Sequence, residues 1–371
     1  MGDRAGWRRN PDYLITTHMK RIVYIIIMLL PFLYGCTMED SSPAVEKFDK
    51  YIFFSQGVET KASLIEKKED LNGQTFGIVG FKYPSTTDWE TFIEQTPAPT
   101  PNLFYDANGS LVETETLTCS ADGSASYAPL QGWSNTKKYS FFAYYPYTNE
   151  NVNLVNLDGT PYTGGVPAIK YTMNEASLAS SMVDIMTAPA QTDKYWISST
   201  NNNINNSDVK FLFSHCLSSL GLNAKNSSAG DIILKNVILV VDGIKYSSAI
   251  IPLDGTAEQY AGPESSIIEG FPLDLTDSEK SVVATSKEFA DKLIFIPQTD
   301  NVSISLTINY QRKYGDNDPT DDSFSTTTPL TTTLTKGKKH IIYVNFNDSN
   351  TYVMVKTDNW DAGPNVPHEF N

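Results

Sequence analysis

Residues 302–310 alternate without a break: Val302, Ile304, Leu306, Ile308 and Tyr310 are apolar, while Ser303, Ser305, Thr307 and Asn309 between them are polar. Side chains of a strand point to opposite faces in turn, so a period of two marks a sheet with one buried face. No helix accommodates that pattern. The rest of the chain agrees with it. Strands are expected at 50–55 (KYIFFS), 74–81 (QTFGIVGF), 138–145 (KYSFFAYY), 232–241, 246–251, 292–296, 340–346 and 351–356. Gly77 and Gly80 inside the second of these suggest a bulge or a close backbone approach. Asp242-Gly243, between two apolar runs, is a hairpin signal. Residues 88–101 hold three prolines and read as loop, and residues 285–292 are the one helical candidate.

Aromatic residues make up 12% of the chain and charged residues only 19%, with Thr, Ser and Asn abundant, a strand-forming composition. Short strands separated by turn signals indicate an all-β chain of two β-sandwich domains. The polar run 198–207 (SSTNNNINNS) is the best divider, so the sandwiches are expected at 47–200 and 201–371.

The N-terminal region has a different character. Met19-Lys20-Arg21 precedes an apolar run over 22–33, and Leu33-Tyr34-Gly35-Cys36 follows. Cations, a short apolar stretch and a small residue before cysteine form a lipoprotein signal. Roughly 20 apolar residues are needed to span a bilayer, and this run is shorter. Residues 1–35 are therefore expected to be a signal peptide, with Met19 as its true start and cleavage between Gly35 and Cys36. Cys36 would carry the lipid, and 36–46 would be a polar tether. Acidic Glu39-Asp40 behind Cys36 resembles a signal for export to the outer cell surface.

Formal net charge is -15. Residues before Cys36 hold five cations (Arg4, Arg8, Arg9, Lys20, Arg21) and two acids (Asp3, Asp12), so the remainder carries -18. Such a surface excludes nucleic acid, whose phosphates require clustered Lys and Arg. It also leaves membrane attachment to the lipid.

Chemical motifs are few. HExxH, GxSxG, a P-loop and CxxC do not occur. His215, His340 and His368 are scattered, and His215 in an apolar strand reads as a core residue. Asp316, Asp318, Asp321 and Asp322 lack the Gly and Glu of a calcium loop. No enzyme, cofactor or metal is expected. Cys119 and Cys216 permit a disulfide without requiring one, and Cys216 reads as a buried free thiol.

An ordered set of segments resembles the fimbrillin-like proteins, lipoprotein subunits of type V pili. They are Ile52-Phe53-Phe54, Thr60-Lys61-Ala62, 76–81, Trp133, 139–146, 184–188 (DIMTA), 211–217, Phe295-Ile296-Pro297-Gln298, Gly337 and Trp360. The resemblance implies transthyretin-like sandwiches and partners that are other pilus subunits. It also implies location in an outer-membrane fimbrium and a role in cell adhesion. It further implies cleavage behind the first strand, between Lys61 and Ala62, followed by strand exchange. The family more often has Arg at that point, and Lys61 reads equally as a solvated side chain. Residues 351–356 (TYVMVK) suit a donor strand or an ordinary last strand. Stalk, tip and anchor roles all stay open. The alternative function is a glycan-binding surface lipoprotein, for which Trp133, Trp196 and Trp360 are the candidate sugar platforms.

Overall fold

The computed structural model describes residues 50–58, 72–147, 149–174, 178, 182–197, 204–206, 209–262, 267–326 and 328–360. Residues Asp49–Asn371 belong to one compact unit. No helix among the described residues is long and apolar enough to cross a membrane.

The all-β expectation holds. Strand Lys137–Tyr145 pairs antiparallel with Thr75–Pro84. From there pairing runs through Glu115–Cys119, Ser124–Ser126, Phe54–Val58, Val209–His215 and Met186–Thr187. Met186–Thr187 pairs in turn with Lys137–Tyr145, so seven strands close into a ring. The closure is short, since Met186–Thr187 meets Val209–His215 only at Ser214 and His215, and Lys137–Tyr145 only at Tyr144 and Tyr145. Strand pairing crosses the boundary expected at 200/201. Val209–His215 lies beside Phe54–Val58, and Ser248–Pro252 lies beside Ala168–Thr172.

Two strands of the ring are buried on both faces. Phe76, Ile78, Tyr139, Phe141 and Ala143 fill the ring. Val79, Phe81, Tyr83, Phe142 and Tyr144 face a second, larger core. That double burial explains why 138–145 is a nearly continuous apolar run rather than an alternating one. Gly77 and Gly80 serve close approach, as expected. A Cβ at Gly80 would lie 2.5 Å from Phe104 Cε2, and one at Gly77 would strike the Tyr144 ring.

The larger core joins the remaining sheets. Strand Asp231–Ile244 pairs with Asn301–Lys313 on one side and Ile267–Pro272 on the other. Val302, Ile304, Leu306, Ile308 and Tyr310 are all buried, the face that the alternation required. A four-stranded sheet runs in the order Lys287–Phe295, Ser218–Asn226, Lys338–Phe346, Thr351–Asn359.

Three local expectations are corrected. Asp242-Gly243 is not a hairpin. It lies inside the long strand Asp231–Ile244, and Gly243, at φ 95°, sits where the register shifts. The strand continues because it has partners on both sides. Residues 285–292 are not helical, since Lys287–Phe295 pairs with Ser218–Asn226. Glu288 and Lys292 still form an ion pair, 2.6 Å apart. The stretch 88–101 includes a short helix, Trp89–Ile93. Asp88 caps it by accepting from Thr91 N at 2.9 Å, and Trp89 and Phe92 are buried.

Candidate subunit interface: the slot of the first strand

The chain enters the ring through residues 50–58. Tyr51 bridges Gly132, Ile52 N donates to Gln131 O at 2.8 Å, and Trp133 N donates to Lys50 O at 2.9 Å. Phe54–Val58 then lies between two neighbours. On one side it runs antiparallel to Ser124–Ser126, with Gln56 N donating to Gly123 O at 2.7 Å. On the other it runs parallel to Val209–His215, from Phe54 opposite Val209 to Val58 opposite Phe213.

Alternation sends Ile52, Phe54 and Gln56 inward, all buried. Phe54 is the anchor. Its ring lies 5.2 Å from that of Phe141, 5.4 Å from Tyr127, 5.9 Å from Phe211 and 6.4 Å from Phe104. Burying such a side chain stabilises the fold by about 1.5–3 kcal/mol from area alone. Tyr127 Oη also donates to Ile52 O at 3.0 Å. Below Phe54, Gln56 Oε1 accepts from the Cys119 thiol, while Gln56 Nε2 has no partner among the described residues. The slot is therefore made of backbone ladders on both sides and an aromatic floor.

The last strand is held differently. Thr351–Asn359 pairs along its whole length with Lys338–Phe346 and, among the described residues, with no strand on its other side. Trp360 follows and is fully buried against His215. His215 Nδ1 lies 2.8 Å from Asp184 Oδ1, and both side chains are buried. A paired core histidine was the expected reading of His215. Asp184 lies in the segment 184–188, but no local signal pairs it with a histidine 31 positions on.

Gly35, Cys36, Lys61, Ala62 and His368 lie outside the described residues. Cys119 and Cys216 are both free and buried, and desolvation pushes each thiol up to about 12. No group of metal-ligating side chains forms among the described residues. Asp321 accepts from Gln311 Nε2 and Asp322 from Tyr310 Oη, so these acids tie one strand to the next. Of the three candidate sugar platforms, Trp133 packs edge-on against Tyr139 inside the ring, and Trp360 is buried on His215. Trp196 is half-buried against the ring core. Buried indoles offer no face to a sugar.

Fold and slot together define an all-β protein whose first described strand is an interior member of a closed ring. The fimbrillin-like family matches residues 67–360, and the chain belongs to that family. A fimbrial protein from Bacteroides vulgatus shares its fold at a TM-score of 0.54 and 18% identity, covering 84% of this chain and 100% of that one. A Bacteroides ovatus protein provisionally described as a cell adhesion protein aligns at 0.47 and 14% identity, over 86% of this chain and 100% of the other. Among curated proteins, none matches the chain.

Proposed function

We propose that the protein is a non-enzymatic, lipid-anchored subunit of a cell-surface fimbria. It would be held to the outer membrane through Cys36 and joined to neighbouring subunits by strand exchange. The observation that carries this reading is the position of the first strand, central in the ring and reached by a chain that leads from Cys36. A cut between Lys61 and Ala62 would divide that strand from the rest of the fold. Its departure would open both neighbouring ladders and the socket of Phe54. An open edge beside an apolar trough is a template for another chain's strand. Without the cut, the same strand keeps the subunit on its lipid as an anchor or tip. The complete pairing of Thr351–Asn359 supports an ordinary last strand over a donor strand.

The test is limited trypsin digestion of the chain from Cys36 on, followed by mass spectrometry of the released N-terminal piece. Strand exchange predicts cleavage after Lys61, loss of residues 36–61, and denaturant-resistant ladders that grow with concentration. Cleavage with the strand retained and no ladder would remove strand exchange from the proposal.

A further inference from the structure

An apolar strip lies beside the slot, on the outward side of the same segment. Tyr51 bridges Gly132 and Ile52 N donates to Gln131 O, so the segment Tyr51–Phe53 runs beside the one that carries Leu130, two positions before Gly132. Because side chains alternate, Ile52 turns inward while Tyr51 and Phe53 turn out, and Leu130 on the adjoining segment is exposed as well. Their exposures are 47%, 60% and 42%. Ala128 and Pro129, also exposed, continue the strip, and residues 125–134 (ASYAPLQGWS) carry no charge. In a chain of net charge -15 this is an apolar island. Grouped apolar exposure of this kind marks a contact surface, unlike scattered single residues.

We propose that Tyr51, Phe53 and Leu130 form a lipid-contact surface that seats this end of the ring on the bilayer. The inference rests on Cys36 being the lipid-bearing residue. Lys50 follows Cys36 by fourteen positions, so a fully extended tether reaches at most about 50 Å from the membrane. Tethering raises the local concentration of bilayer at the strip, so a weak surface suffices. Aromatic side chains favour the membrane–water interface, and residues 125–134, which carry no charge, escape the repulsion that the acidic remainder meets at anionic headgroups. Ile268 provides the contrast. It is 64% exposed but stands opposite Asp242, a carboxylate that a bilayer would have to desolvate.

The test uses the chain from Cys36 on, which contains the whole compact unit Asp49–Asn371. Cys119 and Cys216 are buried, so a maleimide lipid in phosphatidylcholine vesicles couples at Cys36. Phe53→Trp and Ile268→Trp are each coupled and titrated with brominated lipid, which quenches only indoles in contact with acyl chains. The expected result is loss of the added emission in Phe53→Trp and none in Ile268→Trp. Equal quenching of both, or of neither, overturns the proposal. So does a blue shift of Phe53→Trp that depends on protein density without bromine quenching, which would assign the strip to a second copy of the chain. Thermal melting of both variants checks that these exposed substitutions leave the fold intact. Chemical coupling makes the vesicle result independent of biological lipidation. An unmodified Cys36 in cell-derived protein, read by mass spectrometry, would remove the lipid-anchor reading while leaving that result standing.

Discussion

His215 and Trp360 stack ring on ring, with centroids 4.3 Å apart and planes within 10°. His215 ends the strand that holds the first strand in place, and Trp360 follows the last strand, so the two ends of the described chain meet on one strand. The backbone N of Trp360 also donates to Gly337 O at 2.9 Å, which holds the main chain at this position. Trp360→Ala is expected to cost about 3–5 kcal/mol, as for other large-to-small core changes. A double-mutant cycle of Trp360→Ala with His215→Ala, measured by urea unfolding, should yield a coupling of about 0.5–1.5 kcal/mol for the stacked pair. Simple additivity would mean that the stack does not link the two ends.

Phe54 and Phe53 are adjacent in sequence and opposite in consequence. Phe54 is surrounded by four aromatic rings, whereas Phe53 is 60% exposed. Phe54→Ala should destabilise by about 3–5 kcal/mol, and Phe53→Ala by no more than about 0.5 kcal/mol. Denaturant midpoints at equal m-value measure the difference. Similar losses at both positions would contradict the strand's placement in the slot.

How far this fold is legible from sequence depends on the range of each interaction. The 302–310 face and the strand at 138–145 were readable because burial acts residue by residue and leaves a local pattern. The closure of the ring was not. It depends on a parallel pairing between 54–58 and 209–213, more than 150 positions apart, and nothing local encodes that partnership. Asp242-Gly243 misled for a related reason, since a turn signal is overridden when a strand has partners on both sides. The segments that carry Tyr51 and Leu130 could not be placed side by side in advance, because the bridge of Tyr51 to Gly132 joins positions some 80 residues apart. Trp133 and Trp360 carried no sign of burial in themselves, as an indole suits a core and a surface equally.

Gly80 lies where a strand buried on both faces meets the loop residues Leu103 and Phe104. An added methyl would lie 2.5 Å from Phe104 Cε2 and 2.9 Å from Leu103 Cδ2. Overpacking of this kind typically costs about 1–3 kcal/mol. Gly80→Ala should therefore lower the urea midpoint, and Phe104→Leu should restore part of the loss by freeing space. If Gly80→Ala proves neutral, the ring interior is looser than these contacts require.

Cys119 and Cys216 should resist modification in the native protein. Both are buried, and desolvation raises each thiol to about 12, so almost no thiolate forms at neutral pH. Iodoacetamide is expected to leave both unlabelled until denaturant unfolds the chain, after which mass spectrometry should find two additions on them. Rapid native labelling at either position would show that its surroundings open without global unfolding.

His340 makes stability depend on pH. Its ring is fully buried, with Nδ1 lying 3.0 Å from Thr332 Oγ1 and 2.9 Å from Thr357 Oγ1. Burial first, then the nearby charge of Lys338, lowers its pKa from 6.5 to about 4. As pH falls below 6.5 the unfolded chain takes up a proton that the folded chain refuses until about 4. The unfolded state therefore binds more protons in that window, and stability falls with falling pH. The full effect of this one group is about 3 kcal/mol, present above pH 6.5 and lost by pH 4. His340→Gln cannot titrate, so its stability should decline less steeply than that of the parent over the same window. Urea midpoints of both proteins at pH 7.5, 5.5 and 4 compare the slopes directly, since titrating carboxylates act on both alike. Parallel curves would show that another group governs the acid sensitivity.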